Sequence, residues 1–346
     1  MLNIYNAFQD IASDQRFIQD IREVAVSKVF YEDTSNFFNI VPGIKGGQQV
    51  AAMKGIEYVT RKDEGCGGTS LSPKFPAISQ FWNPSLASIR IKYCYSDFMQ
   101  KFTQWGLAKG YNIHKLDEAD FFSFIQDLVV EAMKLDMQRL VLLGDESIAT
   151  QNVLGDANKA QFYDVVKKGL IPTLQYFKTI TDLQDNFVDL SKNSDADQFS
   201  FDADYSKNLF EEVVDVDEFD GSMLLTSNKL FKNYRNYFKN QFMLESSKKE
   251  IQNGIQNLKV DGENIVPIKN YDRWRKNDFT KDGAVHIPHF AIFTNKDHLQ
   301  VGVDDTAALQ NLTLEYIGGD DEHFYIKGNY MIDFKMANPF EFKAAI

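Results

Sequence analysis

Ser88-Ile89-Arg90-Ile91-Lys92-Tyr93-Cys94-Tyr95 alternates without a break. Ile89, Ile91, Tyr93 and Tyr95 fall on one face and Arg90, Lys92 and Cys94 on the other, the period of a strand that buries one side. An opposing strand is expected around Ile56 to Thr60. Between the two lie Gly65, Gly67, Gly68, Pro73, Pro76 and Pro84, a connection too long for a tight turn. A hairpin of that composition cannot bury a core within itself, so its order is expected to come from a partner. Downstream, Ser96 or Asp97 is placed to cap a short helix that carries Phe98, Phe102 and Trp105 and stops at Gly106 or Gly110. Then Asp117 opens a longer one, with Glu118 and Asp120 in its first turn and Phe121, Ile125, Leu128, Ala132 and Leu135 as one stripe, widened by Phe122, Val129 and Met133. Gly144 ends it after roughly 27 residues, about 40 Å of helix.

Further out the signals change character. Ile11, Ile18, Ile21 and Ala25 predict an amphipathic helix over residues 6 to 30. Ser227 to Leu258, rich in Tyr, Phe and Lys, reads as helix with Gly254 near its end. Asn264 to Ile268 reads as a strand closed by Pro267, and from Ala284 onward short strands alternate with turns at Gly318-Gly319-Asp320-Asp321 and Gly328-Asn329. Long helices ahead of a β-rich last third make an α+β chain, and its length predicts two domains or one large discontinuous one.

The 346 residues carry 37 Lys+Arg against 49 Asp+Glu, a net charge of −12, with 44% hydrophobic residues. That is globular composition with material for a sizeable core. It argues against a protein whose main task is to grip nucleic acid, which needs cations in excess. The asymmetry is local: residues 182 to 220 hold thirteen acids and two lysines, a net of −11. Cys66 and Cys94 are too few for a disulfide framework and lack the spacing of a zinc or redox site. No signal peptide is visible, and Leu140 to Leu143 is far short of the ~18 apolar residues that span a bilayer, so a soluble intracellular product is expected.

Catalytic signatures are missing where they would be legible. Gly65-Cys66-Gly67-Gly68-Thr69-Ser70 matches neither phosphate-cradling pattern, because Ser70 stands where a third glycine is needed. His286 and His289 lack the helix that would bring two imidazoles to one metal, since Pro288 interrupts it, and they and His298 read as strand histidines. Asp215-Val216-Asp217-Glu218-Phe219-Asp220-Gly221 places its glycine one residue late for a calcium loop. A solvated acidic face is the plainer reading, with an irregular calcium site as the alternative. No serine sits in G-x-S-x-G, and Tyr234-Arg235-Asn236-Tyr237-Phe238-Lys239 fits a helix with an aromatic core face and a solvated basic face better than a stacking platform for bases. No enzyme activity, cofactor or metal is predicted.

The order of elements is more specific than any motif. Pro76, Trp82-Asn83-Pro84 and Ile89 to Tyr95 lead to the helix closing on Leu140-Val141-Leu142-Leu143-Gly144-Asp145. Lys168-Gly169-Leu170-Ile171 follows, then Ile251-Gln252-Asn253-Gly254-Ile255 through Gly262 and Ile265-Val266-Pro267-Ile268 to Trp274. Last come Pro288-His289-Phe290-Ala291-Ile292-Phe293-Thr294, His298-Leu299 and Gly302. Collinear over most of residues 40 to 340, this series resembles the major capsid proteins of tailed bacteriophages with the HK97-type fold, most closely those of phages of Bacteroidetes, including the crAss-like group.

The resemblance implies an N-terminal arm (1–40), an extended E-loop (41–95), a peripheral domain with a spine helix (96–145), an axial domain (146–284), and a peripheral-domain sheet with the C-terminus (285–346). It implies a virion protein, assembled in the bacterial cytoplasm into hexamers and pentamers of an icosahedral shell. Expected partners are other copies of itself, the portal and other head proteins, and packaged double-stranded DNA as a weak, non-specific neighbour, with no membrane. Phe75, Phe81, Trp82, Ile89 and Ile91 are the expected subunit-interface residues, because aromatic anchors dominate interface energy. Asp215, Asp217 and Asp220 are candidates for a loop near the symmetry axis, where a cation or a basic neighbour would balance them. No pro-segment and no lysine–asparagine cross-linking pair is recognisable, so a shell held without proteolysis or covalent links is expected. The alternatives are an encapsulin-like compartment and, from another class, a soluble acidic hydrolase using paired carboxylates.

Overall fold

The computed structural model describes residues 37–54, 77–110, 118–148, 157–214, 221–242, 258–303, 313–317 and 323–346. The chain begins with β1 (Asn39–Pro42), forms a hairpin from β2 (Gln49–Met53) and β3 (Ala77–Phe81), and continues into the ten-residue β4 (Ser85–Cys94). Helices α1 (Tyr95–Ala108) and α2 (Glu118–Leu143) follow, then α3 (Ala157–Tyr163), α4 (Leu170–Lys178), β5 (Phe187–Val188), α5 (Tyr205–Val213), β6 (Met223–Ser227) and α6 (Asn228–Phe242). The remainder holds β7 (Lys259–Val260), β8 (Glu263–Ile268), α7 (Tyr271–Asp278), β9 (Thr280–Lys281), β10 (Ala284–Val285), β11 (Ala291–Thr294), β12 (Leu299–Val303), β13 (Thr313–Ile317), β14 (His323–Met336) and β15 (Phe342–Ala345).

Two sheets organise these elements. In the first, β14 is the axis: one side pairs with β4 from His323↔Cys94 to Ile332↔Ser85, and the other pairs with β13 and then with β12. The parallel strand β1 adds outside β12. The second sheet runs β5-β15-β11-β6-β8-β7. Residues 285–346 therefore divide, giving β12, β13 and β14 to the first sheet and β11 and β15 to the second. Both faces of the second sheet are covered. Leu225, Ile292 and Ala344 join the core that contains α2 and α4, while Leu224, Ala291, Phe293 and Ala345 face a second cluster built with α5 and α6. Continuous burial explains why β6 and β11 read as unbroken apolar or small-residue runs.

The alternating stretch forms β4 as its period requires: Ile89, Ile91 and Tyr93 are half-buried and Arg90, Lys92 and Cys94 exposed. Three expectations around it change. Its partner is β14, more than 200 residues away, and the expected strand at Ile56 to Thr60 lies outside the described residues; β3 pairs instead with β2. Alternation fixes which face is buried and says nothing about which strand lies alongside. Tyr95 begins α1, with Cys94 at the N-cap position and no side-chain cap, so neither Ser96 nor Asp97 caps it. Gly328-Asn329 is no turn: the two residues are rungs of β14 opposite Ile89 and Ser88, where ten continuous pairs with β4 outweigh the local turn preference.

Helix α2 has 26 residues. Its buried face is rotated from the predicted stripe: Ala132 is exposed and Leu128 and Leu135 half-buried, while Phe124, Met133, Met137 and Leu140 are buried. All of Leu140 to Leu143 is at most 2% exposed, because the last turn is enclosed on every side. The chain that packs there leaves no room for side chains. A Cβ on Gly144 would stand 2.6 Å from the Val166 Cβ, one on Gly169 would stand 2.6 Å from the Val141 carbonyl, and the Gly169 N–H donates to the Gly144 carbonyl at 2.8 Å. Among the described residues only β6 pairs with Pro267, inside β8, so its missing N–H interrupts no ladder there on the outer side.

Candidate assembly surface

The hairpin β2–β3 is joined to the first sheet by a rigid root. Trp82, directly after β3, is 2% exposed. Its ring lies over Gly302 of β12, where an added Cβ would meet Trp82 and Ile44 at 2.6 Å. Trp82 N–H donates to the Gln48 carbonyl at 2.9 Å and its own carbonyl accepts from Gly47 at 2.8 Å, closing the hairpin's base. Asp333, 1% exposed, accepts from the Asn83 and Phe334 N–H groups at 2.8 Å each and pairs with Lys335 at 2.8 Å. A buried carboxylate held by two backbone donors and an ammonium fixes the exit of the hairpin on β14.

Above this root the hairpin pairs only with itself among the described residues. Ala52 and Ile78 lean toward the core, while the opposite face presents Gln49, Ala51, Met53, Ala77, Ser79 and Phe81. Met53 is 72% and Phe81 54% exposed. Between the hairpin and α4 lies a cavity of about 260 Å³, lined by residues that include Ile78, Gln80, Phe81, Lys168, Tyr176 and Phe177.

The predicted interface residues thus occupy different environments. Phe81 is exposed, and Trp82 is a core residue of its own chain. Ile89 and Ile91 are half-buried on the inner face of β4 and line a cavity of about 230 Å³ with Met133, Leu140 and Phe162. Phe75 lies outside the described residues, as do Asp215, Asp217 and Asp220. Exposed apolar side chains that sequence reading missed are Met53, Leu86, Leu107 and Tyr176. Extending the alternation of β4 back by one period puts Leu86 on its exposed face; the others carry no such signal.

The described part of the acidic segment is pinned to the stretch that leads from β10 into β11. Asn193 exchanges two hydrogen bonds with the His289 backbone, at 3.0 and 3.1 Å, and Gln198 does the same with Val285, at 2.8 and 2.9 Å. The His289 ring, fully buried, sets Nε2 2.8 Å from the Gln198 carbonyl and Nδ1 3.5 Å from Ser227 Oγ, against Phe199 and Phe201. Both ring nitrogens are engaged within the chain, so His289 is no partner for the exposed His286. In α6 the aromatic and basic run packs one way: Tyr234 is buried against Phe210 and Phe238, and Arg235 and Lys239 face solvent. Among the described residues no helix is long and apolar enough to cross a membrane.

Burial at two titratable groups here acts in opposite directions. It pushes His289 from 6.5 down to about 4, so the unfolded chain takes up a proton that the fold refuses, and stability is lost as pH falls through that window. It pushes the Asp272 carboxyl from 3.8 up to about 6, so the fold is protonated first and acidification relieves a cost present at neutrality. One Asp272 oxygen accepts from the Lys229 N–H, and Oδ1 is buried without a partner among the described residues. Asp272→Asn is therefore expected to be at least as stable as the parent near pH 7.5, by on the order of 1 kcal/mol, and to lose that advantage by about pH 4.5. Urea midpoints across this range check it, and a difference independent of pH would contradict it.

No protein-family model matches the chain, and no curated protein matches it. Solved structures do. A chain of Mycobacterium phage Ogopogo matches with a TM-score of 0.50 at 13% identity, over 91% of this chain and 91% of that one. A chain of the satellite phage P4 procapsid including size determination (Sid) protein matches with a TM-score of 0.47 at 13% identity, over 96% and 98%. The virus-like particle from Pyrococcus furiosus matches with a TM-score of 0.40 at 13% identity, over 98% and 99%. The chain shares its mixed α+β fold with the Ogopogo chain over nine-tenths of both lengths.

Proposed function

We propose that this chain is the major capsid protein of a tailed phage, with the HK97-type fold, and that its copies form the hexamers and pentamers of a shell around double-stranded DNA. The observation that carries this reading is the hairpin β2–β3: rooted by Trp82 and Asp333, it has no strand partner beyond itself among the described residues and holds Met53 and Phe81 in solvent. A monomer gains nothing by fixing large apolar side chains outside its core, whereas a second copy that covers them recovers their burial energy. The fold shared with a phage chain supports the same conclusion, and a net charge of −12 suits a container that must release its DNA.

In this reading β2, β3 and the residues between them are the E-loop and α2 is the spine helix. The first sheet belongs to the peripheral domain and the second, including β11 and β15, to the axial domain. Phe81 and Met53 are the interface anchors, while Trp82 positions them.

The test is Phe81→Asp combined with Met53→Asp. The variant is expected to keep the parent's circular dichroism and melting temperature and to lose at least about 90% of assembled particles, since buried unpaired charge is excluded from an interface. Full assembly by a variant of parental stability would overturn the reading.

A further inference from the structure

The outer face of the β4–β14 ladder carries a polarity opposite to that of the chain. Its rungs are Leu86/Met331, Ser88/Asn329, Arg90/Lys327, Lys92/Tyr325 and Cys94/His323. Arg90 stands directly across from Lys327, and the Lys92 and Lys327 ammonium groups lie 5.7 and 5.3 Å from the centre of the same Tyr325 ring. Like charges placed opposite each other on neighbouring strands are destabilising. Arg90 and Lys92 are exposed and make no ion pair among the described residues, while on the far side of β14 the register sets Glu315 of β13 beside Tyr325. At the near end of the ladder Leu86 is 59% exposed, so apolar and basic surface adjoin. The outer edge of β4 pairs with no strand among the described residues.

We propose that this face docks a second copy of the chain through exposed carboxylates of its acidic segment, drawn from Asp182, Asp185, Asp197 and Asp202. All four are exposed and none makes an ion pair among the described residues. The inference rests on the shell reading and adds to it a specific charge contact. Each copy brings both halves of the contact, and copies with a charge of −12 need local attraction to approach closely. A nucleic-acid backbone is the weaker fit, because exposed Leu86 beside the cations offers nothing to phosphate, while an apolar patch next to charged groups is ordinary protein-interface anatomy.

Three chains test it by light scattering and sedimentation: the parent, Arg90→Glu/Lys92→Glu, and that pair combined with Asp197→Lys/Asp202→Lys. The substituted residues are exposed and Arg90→Glu removes a like charge from across Lys327, so melting temperatures are expected not to fall, and Arg90→Gln/Lys92→Gln, which introduces no new charge, serves as the milder variant. The charge-reversed pair is expected to cut the assembled fraction about tenfold at moderate salt, the glutamine pair less, and the fourfold exchange to restore assembly. Parental assembly by the Glu pair, or failure of the fourfold exchange to restore it, overturns the contact. So does a Glu pair that assembles normally but loses nuclease-protected DNA, which would turn this face toward nucleic acid. A parent that never self-associates overturns the shell reading itself and is recognised before any variant is made.

Discussion

Asp278→Ala is expected to lower the stability of the chain by about 2–3 kcal/mol, the loss of charge-assisted hydrogen bonds to one buried carboxylate. Asp278 ends α7 and is 7% exposed. It accepts a hydrogen bond from the Tyr163 hydroxyl at 2.7 Å and pairs with Arg139 of α2 and, at 2.9 Å, with Lys159 of α3. Arg139 Nε donates in turn to the Tyr163 hydroxyl at 2.6 Å, and its guanidinium lies over the Phe162 and Tyr163 rings at 5.0 and 5.2 Å. One carboxylate therefore joins the long helix, the short helix beyond it and the helix that follows β8. Deleting it leaves a guanidinium and a phenol without their acceptor. Asp278→Asn keeps an acceptor for Tyr163 and is expected to cost less than half as much. Urea unfolding of the three chains measures both, and an alanine cost below about 1 kcal/mol would show that the cluster does not join these elements.

Trp82→Ala is expected to act on stability and on assembly together. Removing a fully buried indole costs about 3–5 kcal/mol in transfer and cavity terms. Its site cannot collapse easily, because Gly302 and Ile44 surround the ring and neither can fill the space it leaves. The hairpin loses its anchor in the same step, so the Met53 and Phe81 surface is no longer held in one place. Trp82→Phe, which retains an aromatic ring, is expected to recover most of the stability and a measurable part of the assembly. Melting curves and particle yield measured on the same preparations separate the two effects. A Trp82→Ala chain that melts early yet assembles fully would mean that the hairpin's rigid root is irrelevant to contact between copies.

These two clusters also show what the sequence could and could not reveal. Strand β4 and helix α2 were legible because each has one buried face, which writes a period of two or of about 3.6 into the residues. The rotation of the α2 stripe was not, since Ala132 and Met133 are both apolar and only the packing of α4 and β4 selects between them. The pairing of β4 with β14, the passage of β11 and β15 into the second sheet, and the union of Arg139, Tyr163 and Asp278 are long-range facts. Four-residue strands buried on both faces carry no period at all. At the candidate interface, aromatic identity suggested Phe81 and Trp82 alike. One is exposed and the other buried because Trp82 has left the hairpin and faces a glycine, a distinction that depends on Gly302 lying across from it. Tyr176 is exposed because α4 meets the hairpin across a cavity, and no pattern along the chain records that.

Whether copies of the chain form a shell is decided by the native mass of the purified protein in light scattering, with negative-stain microscopy of the same sample. Closed megadalton shells or rings of five and six subunits are expected, with or without a co-expressed scaffold. A particle of 39.7 kDa that stays monomeric in every condition, including that co-expression, would contradict the shell reading.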